Sequence, residues 1–125
     1  MAKKKESEAE TPCEAGGNEI LPLRISAAAD KSVLFRLYMC KAAANLRLWV
    51  DDDLRVDQDV SDETEVLLSP LDVGKHRLRW AIFTSGGQWQ SRSEIDVDGV
   101  TLFRHRKSDE SDNPTNHFLV LIDVA

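Results

Sequence analysis

An all-β antiparallel sandwich of two sheets, with seven or eight strands behind a disordered tail, is the fold this chain predicts. Three observations predict it. From residue 20 onward, short apolar runs alternate with polar residues at a period nearer two than 3.6. Turn chemistry separates the runs: Asp51-Asp52-Asp53, Ser69-Pro70-Leu71-Asp72-Val73-Gly74, Ser85-Gly86-Gly87, Asp98-Gly99 and Asp112-Asn113-Pro114. Residues 1–19 set three lysines against five glutamates with only Ala and Cys as small apolar residues, too little to offset the entropy of ordering.

Taken in order, a first strand falls at residues 21–25. In 33–40, Val33, Phe35, Leu37 and Met39 alternate with Leu34, Arg36, Tyr38 and Cys40. In 46–50, Leu46, Leu48 and Val50 alternate with Arg47 and Trp49. A short strand at 65–68 precedes the clearest one, 75–83, where His76, Leu78, Trp80 and Ile82 share one face and Lys75, Arg77 and Arg79 the other. Trp89, Ile95 and Val97 are in phase over 89–97. Asp98-Gly99 then reads as a type I′ hairpin into 100–103, because both residues tolerate positive φ. The run 118–124 is apolar on both faces and predicts a central strand. The alanines at 27–29 and 42–44 are too few for a helix.

Length and charge bound the function. With 125 residues, 42% hydrophobic and 30% charged, the chain fits one domain, residues 20–125, behind a leader at 1–19. A net charge of -6 argues against a nucleic-acid partner, since phosphate affinity comes from clustered Lys and Arg. The longest apolar run, residues 118–122, is far short of the roughly 20 needed to span a bilayer, so membrane insertion is not expected. Lys3, Lys4 and Lys5 run into glutamates rather than an apolar segment, which points to the cytoplasm, or to an extracytoplasmic site had a signal peptide been removed. Two cysteines, Cys13 in the leader and Cys40 after an apolar run, do not make a disulfide framework, and Cys40 reads as an inert core or boundary thiol.

The stretch Leu46-Arg47-Leu48-Trp49-Val50-Asp51-Asp52-Asp53, followed by Ser69-Pro70-Leu71-Asp72-Val73-Gly74-Lys75-His76-Arg77-Leu78, resembles bacterial immunoglobulin-like and PEGA-type sandwich domains. Those families show a strand, an acidic turn, a second short strand and a loop ending in Gly-x-His before a long strand. The resemblance covers about residues 46–82 and implies an immunoglobulin-like β-sandwich, an adhesive or scaffolding role, and no catalytic residue.

The acids Asp51, Asp53, Asp57 and Asp59, with Asp52, Asp62, Glu63 and Glu65 around them, are the candidate metal ligands, because calcium takes six to eight oxygens. Their spacing is not that of an EF-hand, so they are weak candidates, and a solvated acidic hairpin is the expected reading of the same residues. Histidines His76, His105 and His117 are too far apart for a zinc site, and no cofactor motif occurs. Trp80, in phase with Leu78 and Ile82, is the expected core tryptophan. Trp49 and Tyr38 fall out of phase with their apolar neighbours, beside Arg47, and are expected to share one outer face. Arg77 and Arg79 form a cationic stripe that would steer a partner. The expected function is a non-catalytic binding module for a protein partner, with carbohydrate recognition by the same aromatics as the alternative.

Overall fold

The computed structural model describes residues 12–84, 88–109 and 115–125. The turns expected at residues 85–87 and 112–114, and the leader before Pro12, lie outside them. Nine strands form: β1 (Arg24–Ala27), β2 (Val33–Cys40), β3 (Ala44–Val50), β4 (Asp53–Val60), β5 (Glu63–Leu67), β6 (Gly74–Phe83), β7 (Trp89–Val97), β8 (Val100–Asp109) and β9 (Thr115–Val124). They make two sheets, ordered β1-β9-β6-β3-β4 and β5-β2-β7-β8. All pairings are antiparallel except β1 on β9, which is parallel.

Period-two alternation places the core. Val33, Phe35, Leu37 and Met39 of β2 point inward, as do Ala44, Leu46, Leu48 and Val50 of β3 and Leu78, Trp80 and Ile82 of β6. Trp80 is the hub. Its ring lies 5.0 Å from Phe35, 5.6 Å from Phe103 edge-on and 5.2 Å from Phe118 in a stack. Its indole N–H donates to Ser93 Oγ at 3.2 Å, so the buried polar edge is satisfied. Each such large side chain contributes about 1.5–3 kcal/mol by leaving water.

Three expectations are corrected. The described residues form nine strands rather than seven or eight, and the uncounted one is β4. This edge strand, Asp-Leu-Arg-Val-Asp-Gln-Asp-Val, is exposed along nearly its whole length and buries only Val60 fully, so hydrophobic alternation cannot reveal it. Its charges blunt an edge that would otherwise pair with another chain.

The second concerns only the described part of the leader. Residues 12–19 are laid across the outer face of the β5-β2-β7-β8 sheet. Their carbonyls accept from arginines: Cys13 from Arg106 Nε at 3.1 Å, Ala15 from Arg106 Nη2 at 2.7 Å, and Asn18 from Arg104 Nη1 at 3.0 Å. Glu19 accepts the Arg106 backbone N–H at 2.7 Å, and Ile20 exchanges two backbone hydrogen bonds with Arg104 at 2.9 Å. The polarity that reads as disorder supplies acceptors for buried cations.

Third, Cys40 is not a free thiol. It is joined to Cys13 with Cα atoms 6.2 Å apart, which pins this strap to the end of β2.

Candidate functional site

The two sheets present very different outer faces. On the sheet containing β6, strand register aligns Leu119 of β9, Arg79 of β6, Trp49 of β3 and Leu54 of β4 in one row. Four strands at about 4.8 Å spacing make that row roughly 14 Å wide. A bulge creates its far end: Leu48 faces Val56, but Trp49 faces Leu54, so Arg55 is the extra residue and Leu54 is turned onto the Trp49 side. Leu54 is 52% and Leu119 53% exposed, while Trp49 is half-buried. The Arg79 guanidinium lies 4.2 Å from the Trp49 ring centroid. Among the described residues Arg79 partners this ring rather than a carboxylate.

Neighbouring rows frame the apolar one with charge. Leu121 faces Arg77, which reaches Asp52 Oδ2 at 2.7 Å. On the other side His117, Ala81, Arg47 and Asp57 align, with Arg47 3.7 Å from Asp57 and 5.0 Å over the Phe83 ring. Trp49, Arg47, Arg77 and Arg79 are thus brought onto one outer face by the pairing of β3 with β6. Leu54, Phe83, Leu119 and Leu121 join them and were not foreseen. The signal for the two β9 leucines was present: the strand is apolar on both faces, and one of those faces opens outward.

Tyr38 is not part of this surface, and the expectation that it shares a face with Trp49 is corrected. It lies on β2, in the other sheet, with the Arg92 guanidinium 4.0 Å from its ring centroid. That face is a charge network. Glu94, 3% exposed, accepts from Arg104 Nε at 2.7 Å and Arg36 Nη1 at 3.2 Å and lies 3.3 Å from Arg92 Nε. Arg36 also reaches Asp96 at 3.1 Å and Glu65 at 3.0 Å. Burial opposes the charge on Arg36, but Glu65 and Asp96 outweigh it and hold the guanidinium firmly protonated.

The acidic candidates disperse. Asp57 and Asp59 both accept from Asn45 Nδ2, at 3.1 and 3.2 Å. Asp51, at positive φ in the β3–β4 turn, accepts the Arg77 backbone N–H at 2.8 Å and lies 2.5 Å from His76 Nδ1. The other His76 nitrogen, Nε2, is 2.7 Å from the Asp72 carbonyl. With acceptors on both ring nitrogens the imidazole favours its protonated form. The Asp72 carbonyl and then Asp51 raise its pKa, against a smaller effect of burial. Burial pushes the Asp51 carboxyl up, but the Arg77 amide and His76 overcome it and set it below the ordinary value. Asp53 lies at the exposed start of β4. Among the described residues no group of three or more His, Cys, Asp or Glu side chains is arranged to hold a metal ion. His105 faces inward, 5.1 Å from the Phe118 ring, and burial lowers its pKa. No family model, curated protein or solved structure matches the chain.

Proposed function

We propose that this domain is a non-catalytic binding module of immunoglobulin-like type that docks a protein partner on the outer face of the β1-β9-β6-β3-β4 sheet. The observation that carries the reading is the row Leu119, Arg79, Trp49 and Leu54: two half-exposed leucines flanking an Arg–Trp pair on one outer sheet face. Tryptophan and arginine dominate interface energetics when an apolar surround excludes water. Arg47 and Arg77 at the margins, each already beside a carboxylate, set orientation more than affinity. The partner should therefore offer an apolar centre with an acidic rim. Sugar stacking is less favoured, because the Arg79 guanidinium already occupies one face of the indole ring. The Cys13–Cys40 bond favours an oxidising compartment over the cytoplasm as the place of action.

The test uses the full chain as bait, with Trp49→Ala and Tyr38→Phe beside it. A stoichiometric protein partner lost with Trp49→Ala and kept with Tyr38→Phe supports the reading, since the two rings lie on opposite sheets. A partner that ignores Trp49→Ala refutes it, as does saturable tryptophan quenching by a soluble glycan in place of any protein.

A further inference from the structure

The strap at residues 12–19 contacts the charged sheet almost entirely through its main chain. Carbonyls of Cys13, Ala15, Gly17 and Asn18 accept from Arg92, Arg104 and Arg106, and the Glu19 carboxylate closes the set on the Arg106 amide. Glu14 adds an acceptor for Gln90 Nε2 at 3.5 Å, and at the next position but one a side chain must be absent: a Cβ on Gly16, at φ +102°, would sit 2.9 Å from Arg92 Nη1 and 3.1 Å from Arg104 Nε. Arg92 and Arg104 do not depend on the strap for their positions, because Glu94 holds them from within the sheet, whereas the Arg106 guanidinium has its contacts on the strap itself. Nor does the apolar core depend on it, since no strap residue belongs to the cluster around Trp80. A surface on which Glu94 sets Arg92 and Arg104 in advance thus reads the carbonyls of a turning, glycine-containing peptide that ends in a carboxylate.

We propose that the Arg92, Arg104 and Arg106 face is a peptide-binding surface kept occupied by the chain's own residues 12–19 while Cys13 and Cys40 are joined. Reduction opens it to a partner segment of the same chemistry. The proposal is independent of the Trp49 face. A cavity of about 320 Å³ lined by Pro12, Tyr38, Lys41, Asp62 and Glu63 has Cys40 in its wall, and it is the side from which a small dithiol would approach. The dithiol's thiolate attacks that sulfur and breaks the S–S bond. Cys13 leaves as a thiolate and takes up a proton. The second thiol then resolves the mixed disulfide, releasing Cys40 as a thiol and leaving the reductant as a disulfide: two electrons and two protons pass to the protein. Until then the strap is tied covalently at Cys13 as well as bridged at Ile20; afterwards only its hydrogen bonds to the arginines and the Ile20 bridge hold it, and a competing segment can displace it.

The test is made on the full chain. Cys13→Ser with Gly16→Val removes the latch and evicts the strap without touching an arginine. The probe is a fluorescein-labelled peptide of residues 12–20 carrying Cys13→Ser. It should bind this variant saturably, bind oxidised wild type at least tenfold more weakly, and lose binding when the peptide carries Gly16→Val or the receptor Arg106→Ala. No binding to a variant whose near-ultraviolet tryptophan spectrum is native overturns the proposal, and so does equal binding to oxidised wild type. Should the double variant fail to fold, hydrogen exchange on wild type decides. Reduction should speed exchange of the Arg106 amide at least tenfold while the Trp80 amide holds, and an unchanged rate at the Arg106 amide overturns the latch.

Discussion

Replacing Glu94 by Gln keeps the shape of the side chain and removes one charge from the middle of three guanidiniums. Arg36 keeps Asp96 and Glu65, and Arg104 keeps the Asn18 carbonyl, but Arg92 loses its one carboxylate neighbour among the described residues. The new amide also turns an N–H toward donors that need acceptors. Glu94 and Arg92 have side chains only 4% and 8% exposed, so water cannot replace what is lost. Breaking such a buried pair costs roughly 3–5 kcal/mol. At about 4–8 °C per kcal/mol for a domain near this size, the melting temperature should fall by at least ~12 °C. Arg47→Ala is the internal control. Its pair with Asp57 spans 3.7 Å with both side chains 48% exposed, and pairs of that kind contribute at most about 1 kcal/mol. Thermal unfolding of the oxidised proteins, followed by tryptophan fluorescence at neutral pH, compares them directly. Equal small shifts would show that the covered network behaves as a solvated one, and the reasoning from burial would fall.

Three further outcomes follow from the same geometry. The His76–Asp51 contact predicts a stability plateau. The raised His76 pKa contributes fully below the unfolded value of 6.5 and is lost as pH rises through the folded value. The lowered Asp51 pKa contributes above 3.8 and is lost as pH falls through its folded value. Urea midpoints should therefore be highest between pH 3.8 and 6.5 for this pair, and His76→Gln should flatten the alkaline shoulder by about 1 kcal/mol, a modest figure because Asp51 is half-exposed. Gly99, at φ +85° with open space where a Cβ would go, should cost about 1–2 kcal/mol on change to Ala through backbone strain alone; a similar loss with Gly99→Asn, which tolerates this region, would refute that cause. Trp49→Ala should lower the melting temperature by under ~5 °C while abolishing partner capture, whereas a loss as large as that of Trp80→Ala would place Trp49 in the core.

What was legible in the sequence is what alternation and turn chemistry encode locally. Trp80 as the hub, the Asp98-Gly99 hairpin, and the outward phase of Arg47, Trp49, Arg77 and Arg79 all follow from a period of two. What was not legible depends on which strands become neighbours. Tyr38 and Trp49 have the same local signature, an aromatic out of phase, and only the division of β2 and β3 between sheets separates them. β4 escaped because an edge strand buries almost nothing. The strap escaped because its affinity lies in carbonyls, which every residue carries, and in the absence of a side chain at Gly16.

The β7 strand shows why the charge had to be buried where it is. Trp89, Ile95 and Val97 face the core, and all the residues between and beside them from Ser91 to Asp96 are buried too, so β7 has no solvent face at all. With both faces covered, apolar residues on both would let β2 slide along β7 by two residues without moving any side chain to the wrong face. The ionic row resists that slip. In the observed register Arg36 faces Glu94 and Tyr38 faces Arg92. A two-residue shift in one direction would set Arg36 against Arg92 and Leu34 against Glu94, bringing like charges together and taking Arg36 away from Glu94 and Asp96. Between β7 and β8 the two-residue Asp98-Gly99 turn does the same work through backbone geometry, leaving Glu94 opposite Arg104. The buried network is therefore better understood as setting register than as adding net stability. A well-packed apolar replacement of the whole cluster would melt no lower than wild type, yet would lose the single sharp set of β2 and β7 amide resonances that one register produces.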